Sequence, residues 1–274
     1  MSICLDDLIS HRFRGFSTRE NSLEGLRAAL AFGVKHLEFD IRVAACGTPM
    51  IYHDESAKDG RGRKRRLADF TAADYQGLGG DFPLFPTFEA LLQAIVGSGN
   101  TQSRFLIDIK DAGFEVEIAS LVRLYRLHDR VTYVSWVPEA LYAMHTIEPD
   151  IALSFSHWCK SPGPLVRSVH KVFHAHNGRV PDSERRYIHG ERSGWFVNGP
   201  VKGEMRNLLA ASAGSVCVPV SMVSRALVDA YHDAGIEVST FSYVELRKVQ
   251  QHKKMMNIDL YFIDNKKIFD KIIL

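Results

Sequence analysis

The chain has 274 residues, of which 46% are hydrophobic and 24% charged, so it carries enough apolar material for a full core and is neither disordered nor fibrous. Its 34 basic residues face 32 acidic ones, and a formal net charge of +2 makes no general case for nucleic acid as a partner. No run approaches the roughly 20 apolar residues needed to span a bilayer, so any membrane contact is expected to be peripheral.

Near the start, Asp6 and Asp7 interrupt any apolar leader, and Cys4, Cys46, Cys159 and Cys217 are scattered without metal-type spacing. Both features point to a reducing, cytoplasmic setting. A first strand is expected around Ile9. Asn21-Ser-Leu-Glu24 then reads as a helix start with Asn21 as cap, followed by Leu23, Leu26 and Leu30 at helical spacing and by Gly33 as a stop.

The second strand, within 34–43, alternates strictly. Leu37, Phe39, Ile41 and Val43 share one face, and His36, Glu38, Asp40 and Arg42 share the other. The pattern returns in 104–111, where Phe105, Ile107 and Ile109 oppose Leu106, Asp108 and Lys110. Two such strands can bring Glu38, Asp40 and Asp108 onto one divalent cation. Taken alone, the same periodicity fits two half-exposed antiparallel strands with solvated charges. His11, before the pair, and His53, at the end of an apolar run, shift the balance, because histidine serves as acid or base near neutral pH.

Further along, helical patterns at 87–96, 114–127, 138–147, 221–234 and 243–255 alternate with strand-like runs at 105–109, 131–136, 151–155, 215–220, 236–241 and 258–263. With the first two strands this gives about eight strands and intervening helices, the signature of a (β/α)8 TIM barrel in a single domain over 1–274. An open doubly wound sheet is the alternative, disfavoured because no glycine-rich phosphate loop follows the first strand. Two long segments, 54–85 after strand 2 and 157–214 after strand 5, are expected as loop insertions over the active-site face.

The residues resemble the glycerophosphodiester phosphodiesterases, in the superfamily that also holds phosphatidylinositol-specific phospholipases C. The resemblance rests on His11-Arg12, Glu20-Asn21-Ser22, Glu38-Phe-Asp40, Gly47, Pro49, His53-Asp54, Asp108-Ile-Lys110, Ser135 with Pro138-Glu-Ala-Leu141, and Ile263-Asp264-Asn265. It implies that Glu38, Asp40 and Asp108 hold one divalent cation, Mg2+ or Ca2+ rather than zinc. It further implies that His11 and His53 form the acid and base pair, in either order, and that Arg12 and Lys110 contact the phosphate of a small-molecule phosphodiester. Four departures stand out. Phe13-Arg14 reads as an insertion before Gly15, Arg19 replaces a proline, Asp108 replaces a glutamate, and Phe241-Ser242 replaces a Trp-Thr pair, which places Phe241 in the substrate pocket.

The leading expectation is metal-dependent hydrolysis of glycerophosphodiesters to sn-glycerol 3-phosphate and an alcohol. Asp108 also suits a phospholipase D-like enzyme acting on lysophospholipid or sphingolipid head groups. A non-catalytic barrel binding a phosphorylated ligand is the remaining alternative. The histidines of 170–176 invite a second-metal reading, but no cysteine or carboxylate spacing supports it. The basic run 61–66 reads as a solvated loop or an attraction for anionic substrate or lipid head groups rather than a nucleic-acid site.

Overall fold

A computed structural model describes residues 3–159, 185–188, 194–197 and 199–273. Eight parallel strands close on themselves: β1 (Leu8–His11), β2 (His36–Val43), β3 (Arg104–Ile109), β4 (Val131–Ser135), β5 (Ala152–Cys159), β6 (Ser215–Pro219), β7 (Glu237–Tyr243) and β8 (Leu260–Ile263). Each pairs with the next, β5 pairs with β6, and β8 returns to β1, so the sheet forms the expected (β/α)8 barrel.

The two-residue period of each strand divides the core in two. Outward-facing Leu37, Phe39 and Ile41 pack with Leu26, Leu30, Leu91 and Ile95 of the surrounding helices. Inward-facing Ile9, Leu106, Val134, Cys217 and Phe262 fill the barrel below the site as a smaller cluster. Polar residues on the same inward face rise above that floor, at the carboxyl ends of the strands where barrel enzymes place their chemistry.

The first helix (Leu23–Phe32) stops at Gly33 in the left-handed region, φ 87°, as its sequence predicts. Its cap differs from expectation. Ser22 accepts the hydrogen bond from the Gly25 N–H, while Asn21 is buried and donates Nδ2–H to Asp40 Oδ2 at 2.8 Å. Asn21 is thereby freed from capping to hold a site carboxylate.

Segment 54–85 is not an open loop. It contains a β-hairpin (Ser56–Lys58 with Lys64–Arg66), a short helix (Tyr75–Leu78) and a core of its own, in which Ala57, Leu67, Tyr75 and Phe82 pack with Met50. In the second insertion, β5 runs four residues further than expected, to Cys159, and a helix spans Gly203–Ala211. Strand Gly194–Val197 pairs parallel to β5 and antiparallel to Arg185–Ile188. His170, His174 and His176 lie outside the described residues.

The extended β5 carries a buried histidine. His157 Nδ1 donates to the Trp158 carbonyl at 3.1 Å, which leaves Nε2 to accept from the Tyr231 hydroxyl at 2.7 Å, and that oxygen in turn takes the Val201 N–H at 2.9 Å. Burial holds its pKa down to about 4. Because the unfolded chain binds the proton near pH 6.5 and the folded chain does not, the stability this site confers is complete above pH 6.5 and is lost as pH falls toward 4. The expected loss is on the order of 3 kcal/mol. Comparing unfolding free energies of the wild type and His157→Gln between pH 7 and 4 tests it, and an unchanged slope in the variant would refute it.

Candidate active site

Strand register assembles the site. His11 lies beside Glu38 across the β1–β2 pair, and Asp40 lies beside Asp108 across the β2–β3 pair, all facing the barrel interior at neighbouring levels. The ligand-capable oxygens of Glu38, Asp40 and Asp108 fall within 4.8 Å of one another, and all three residues are buried.

Two cations hold this anionic group together. Arg12 Nε is 3.1 Å from Asp40 Oδ2, while Lys110 Nζ is 3.0 Å from Asp40 Oδ1 and donates to Asp108 Oδ2 at 2.5 Å. Burial raises the Asp40 pKa, but Arg12 and Lys110 outweigh it and leave that carboxylate well below the usual range. Burial and the neighbouring Asp40 charge push Glu38 well above its ordinary value, and burial also raises Asp108. Asp108 Oδ1 is buried with no hydrogen-bond donor among the described residues. A crowded oxygen set with two members forced upward and an unsatisfied oxygen on Asp108 fits a hard divalent cation.

Both histidines are backed by carboxylates. His11 donates Nδ1–H to Asp264 Oδ1 at 2.6 Å, which turns Nε2 toward Glu38 Oε2 at 3.8 Å. Burial lowers the His11 pKa to about 4 despite that hydrogen bond, so the ring is neutral at pH 7 with an unprotonated Nε2. Asp264 also accepts from Ser242 Oγ at 2.7 Å and from Arg14 at 2.8 Å. Burial favours its protonation, but these donors and His11 outweigh it and bring its pKa to about 2. His53 follows a short strand (Pro49–Ile51) paired with β2, and its Nδ1 is 2.6 Å from Asp54 Oδ1. Arg42 donates to the His53 carbonyl at 3.0 Å and is itself fixed by Asp111 at 2.6 Å.

His11, Arg12, His53, Asp108 and Lys110 line one side of a cavity of about 650 Å³. Its other wall is aromatic: Trp136 packs on Trp158 at 5.1 Å and on Phe241 at 5.7 Å. The expected site residues therefore come together, Phe241 included. Sequence reading gave Asp264, Arg14 and Asp54 no role. The available signal for Asp264 was an acidic residue immediately after the last barrel strand.

Phe13, after His11-Arg12, adopts a backbone conformation that favours glycine. It holds φ 59°, in the left-handed region, and its ring is buried against Phe39 at 6.1 Å. Gly25 makes the room, since a Cβ there would come within 2.9 Å of the Phe13 Cβ. Gly25→Ala is expected to cost about 1–3 kcal/mol through overpacking. Thermal unfolding measures it, and an unchanged midpoint would show that the helix shifts freely.

The fold and this constellation together define a (β/α)8 barrel with an acidic cluster beside two carboxylate-backed histidines at its strand ends. The chain belongs to the glycerophosphoryl diester phosphodiesterase family, whose model matches residues 10–265. Human glycerophosphodiester phosphodiesterase 1 is 28% identical over 167 residues, a match covering 54% of this chain and 48% of that protein. The chain thus spans about half the length of the curated relatives it matches. A Silicibacter pomeroyi structure is similar at TM-score 0.72 and 22% identity, covering 97% of this chain and 92% of that one. An Oleispira antarctica phosphodiesterase in complex with sn-glycerol-3-phosphate is similar at TM-score 0.65 and 19% identity, covering 98% and 97%. Among the described residues, no helix is long and apolar enough to cross a membrane.

Proposed function

We propose that this chain, as one barrel domain over 1–274, hydrolyses glycerophosphodiesters to sn-glycerol 3-phosphate and an alcohol. The observation that carries the reading is the cluster of three buried carboxylates, one of which, Asp108, lines a cavity together with two carboxylate-backed histidines. Family membership and the product bound to the Oleispira relative support the substrate class.

Glu38, Asp40 and Asp108 would hold one divalent cation, Mg2+ or Ca2+, which when bound supplies positive charge against a phosphodiester anion. Arg12 and Lys110 add to that neutralisation, and both already lie against the carboxylates at the cavity's edge. His11, kept neutral by burial and aimed by Asp264, takes the proton from the attacking oxygen at Nε2. His53, its Nδ1 tied to Asp54, gives a proton to the departing alcohol. The aromatic wall of Trp136, Trp158 and Phe241 borders the substrate. The thiols of Cys4, Cys46 and Cys217 are free, which suits a reducing compartment such as the cytoplasm.

The test is a panel of glycerophosphodiesters assayed for released sn-glycerol 3-phosphate after chelation and after adding back Mg2+ or Ca2+. Turnover that is abolished by chelation and restored by one of the two ions is expected. Metal-loaded protein that cleaves no phosphodiester, a chromogenic one included, would move the chain to a phosphoryl-ligand-binding role.

A further inference from the structure

The hairpin in the first insertion is densely charged, with five cations among the six residues 61–66. Between Glu55 and Arg66 stand six cations, Lys58, Arg61, Arg63, Lys64, Arg65 and Arg66, against Glu55 and Asp59, a net +4 in twelve residues of a chain whose whole balance is +2. The remaining residues therefore carry a net −2.

These charges sit on a built hairpin rather than a loose loop. Ser56–Lys58 pairs antiparallel with Lys64–Arg66, and buried Asp59 closes the tip by accepting from the Arg61 and Arg63 N–H groups at 2.9 Å and from the Arg63 side chain. Buried Ala57 roots the hairpin in the insertion's own core. The tip is anchored to the rest of the insertion, with the Gly60 N–H donating to the Leu78 carbonyl at 2.8 Å and the Asp81 N–H to the Lys58 carbonyl at 3.1 Å. Register sets Lys58 directly across from Lys64, an arrangement of like charges that lowers hairpin stability. Asp59 pairs with Arg63 and Arg65, and Glu55 with Arg66, yet the hairpin keeps a net charge of +4, an excess available to an anionic partner outside it.

The foot of the hairpin supplies the direction. Glu55, Arg66, Leu67 and Ala68 form part of the wall of the cavity that holds His11, His53 and Lys110. We infer that the 55–66 hairpin docks the protein on an anionic lipid surface, with the cavity mouth turned toward that surface. A single short cationic hairpin can touch a plane, whereas a duplex needs cations spread along its length to meet one phosphate charge per about 1.7 Å. Each cation near an anionic bilayer strengthens partition by roughly fivefold, and the effect fades with salt. The aromatic residues of the same cavity, Trp136, Trp158 and Phe241, suit a diester that carries apolar substituents.

The test uses the full chain and the double variant Arg61→Glu with Lys64→Glu. The variant takes the hairpin from +4 to neutral and converts the like-charged Lys58–Lys64 pair into an opposite-charged one, so folding is not put at risk. Co-sedimentation is measured with phosphatidylcholine vesicles, alone or containing about 30% phosphatidylglycerol. The wild type should partition at least about tenfold more strongly to the anionic vesicles, lose that preference near 0.5 M salt, and lose it in the variant. Hydrolysis of a soluble chromogenic diester should be the same in both proteins. Equal partition to both vesicle types, or a variant that still prefers anionic ones, overturns the inference. So does tighter wild-type binding to duplex DNA than to anionic vesicles, which would assign the hairpin to nucleic acid. Docking is read without turnover, so failure of the proposed hydrolase activity would show separately, as a wild type that binds vesicles and cleaves nothing.

Discussion

Replacing His11 or His53 with alanine is expected to lower kcat by about 10²- to 10⁴-fold while metal affinity and fold stay near those of the wild type. His11 touches no carboxylate of the cation cluster closely, since Nε2 stands 3.8 Å from Glu38 Oε2. His53 follows a short strand outside the barrel and is partly exposed. Neither substitution opens a large hole in the core. The two losses should nonetheless be separable. Asp264→Asn leaves the His11 ring in place but offers an amide where a carboxylate now accepts from Nδ1 at 2.6 Å. It should reduce kcat in the same direction as His11→Ala and add little when combined with it, because residues acting as a unit are not additive. Steady-state kinetics on one glycerophosphodiester decides the matter. Folded, metal-binding variants of either histidine with near-native kcat would end the acid and base assignment.

The alternation of Glu38 and Asp40 with Leu37, Phe39 and Ile41 was legible because a parallel barrel strand is buried on both sides, and only a site explains charge on the inner one. The same reasoning found Asp108 and Lys110. What it could not supply was register. That Asp40 stands beside Asp108, and His11 beside Glu38, is a property of the sheet rather than of either segment. The partner of His11 lies 253 residues away at the other end of the chain, brought beside it by the pairing of β8 with β1, and local pattern carries no trace of such a contact. Asn21 shows the opposite failure. Its cap-like sequence context was read correctly as a helix start, but Ser22 took the cap and Asn21 turned inward to Asp40. Both residues have the chemistry for the cap, and only the tertiary demand of a buried carboxylate separates them. The insertion at 54–85 read as a loop because its strands are three residues long and mostly basic, too short for periodicity to register.

The cation cluster carries the other large expected effect. Asp108→Asn should weaken binding of Mg2+ or Ca2+ by at least about tenfold and lower kcat with it, because it removes charge from a site whose oxygens converge within 4.8 Å. Its consequence without metal should run the other way. Burial and the nearby Asp40 charge disfavour an ionised Asp108, and Lys110 keeps Asp40 as a partner at 3.0 Å when Asp108 becomes neutral. The metal-free variant should therefore unfold at or above the wild-type temperature, while the rise in Tm that added metal gives the wild type should largely disappear. Asp108→Glu keeps the carboxylate and should retain most of that rise, more so with Ca2+, which tolerates varied ligand reach, than with Mg2+, which demands near-octahedral geometry. Calorimetric titration of each ion, run beside thermal unfolding with and without it, separates the charge of Asp108 from its shape. If Asp108→Asn binds metal as tightly as the wild type and shows the same rise in Tm, Asp108 is not a ligand. The unsatisfied Oδ1 would then need another partner, and the substrate's own hydroxyl groups would be the first to test.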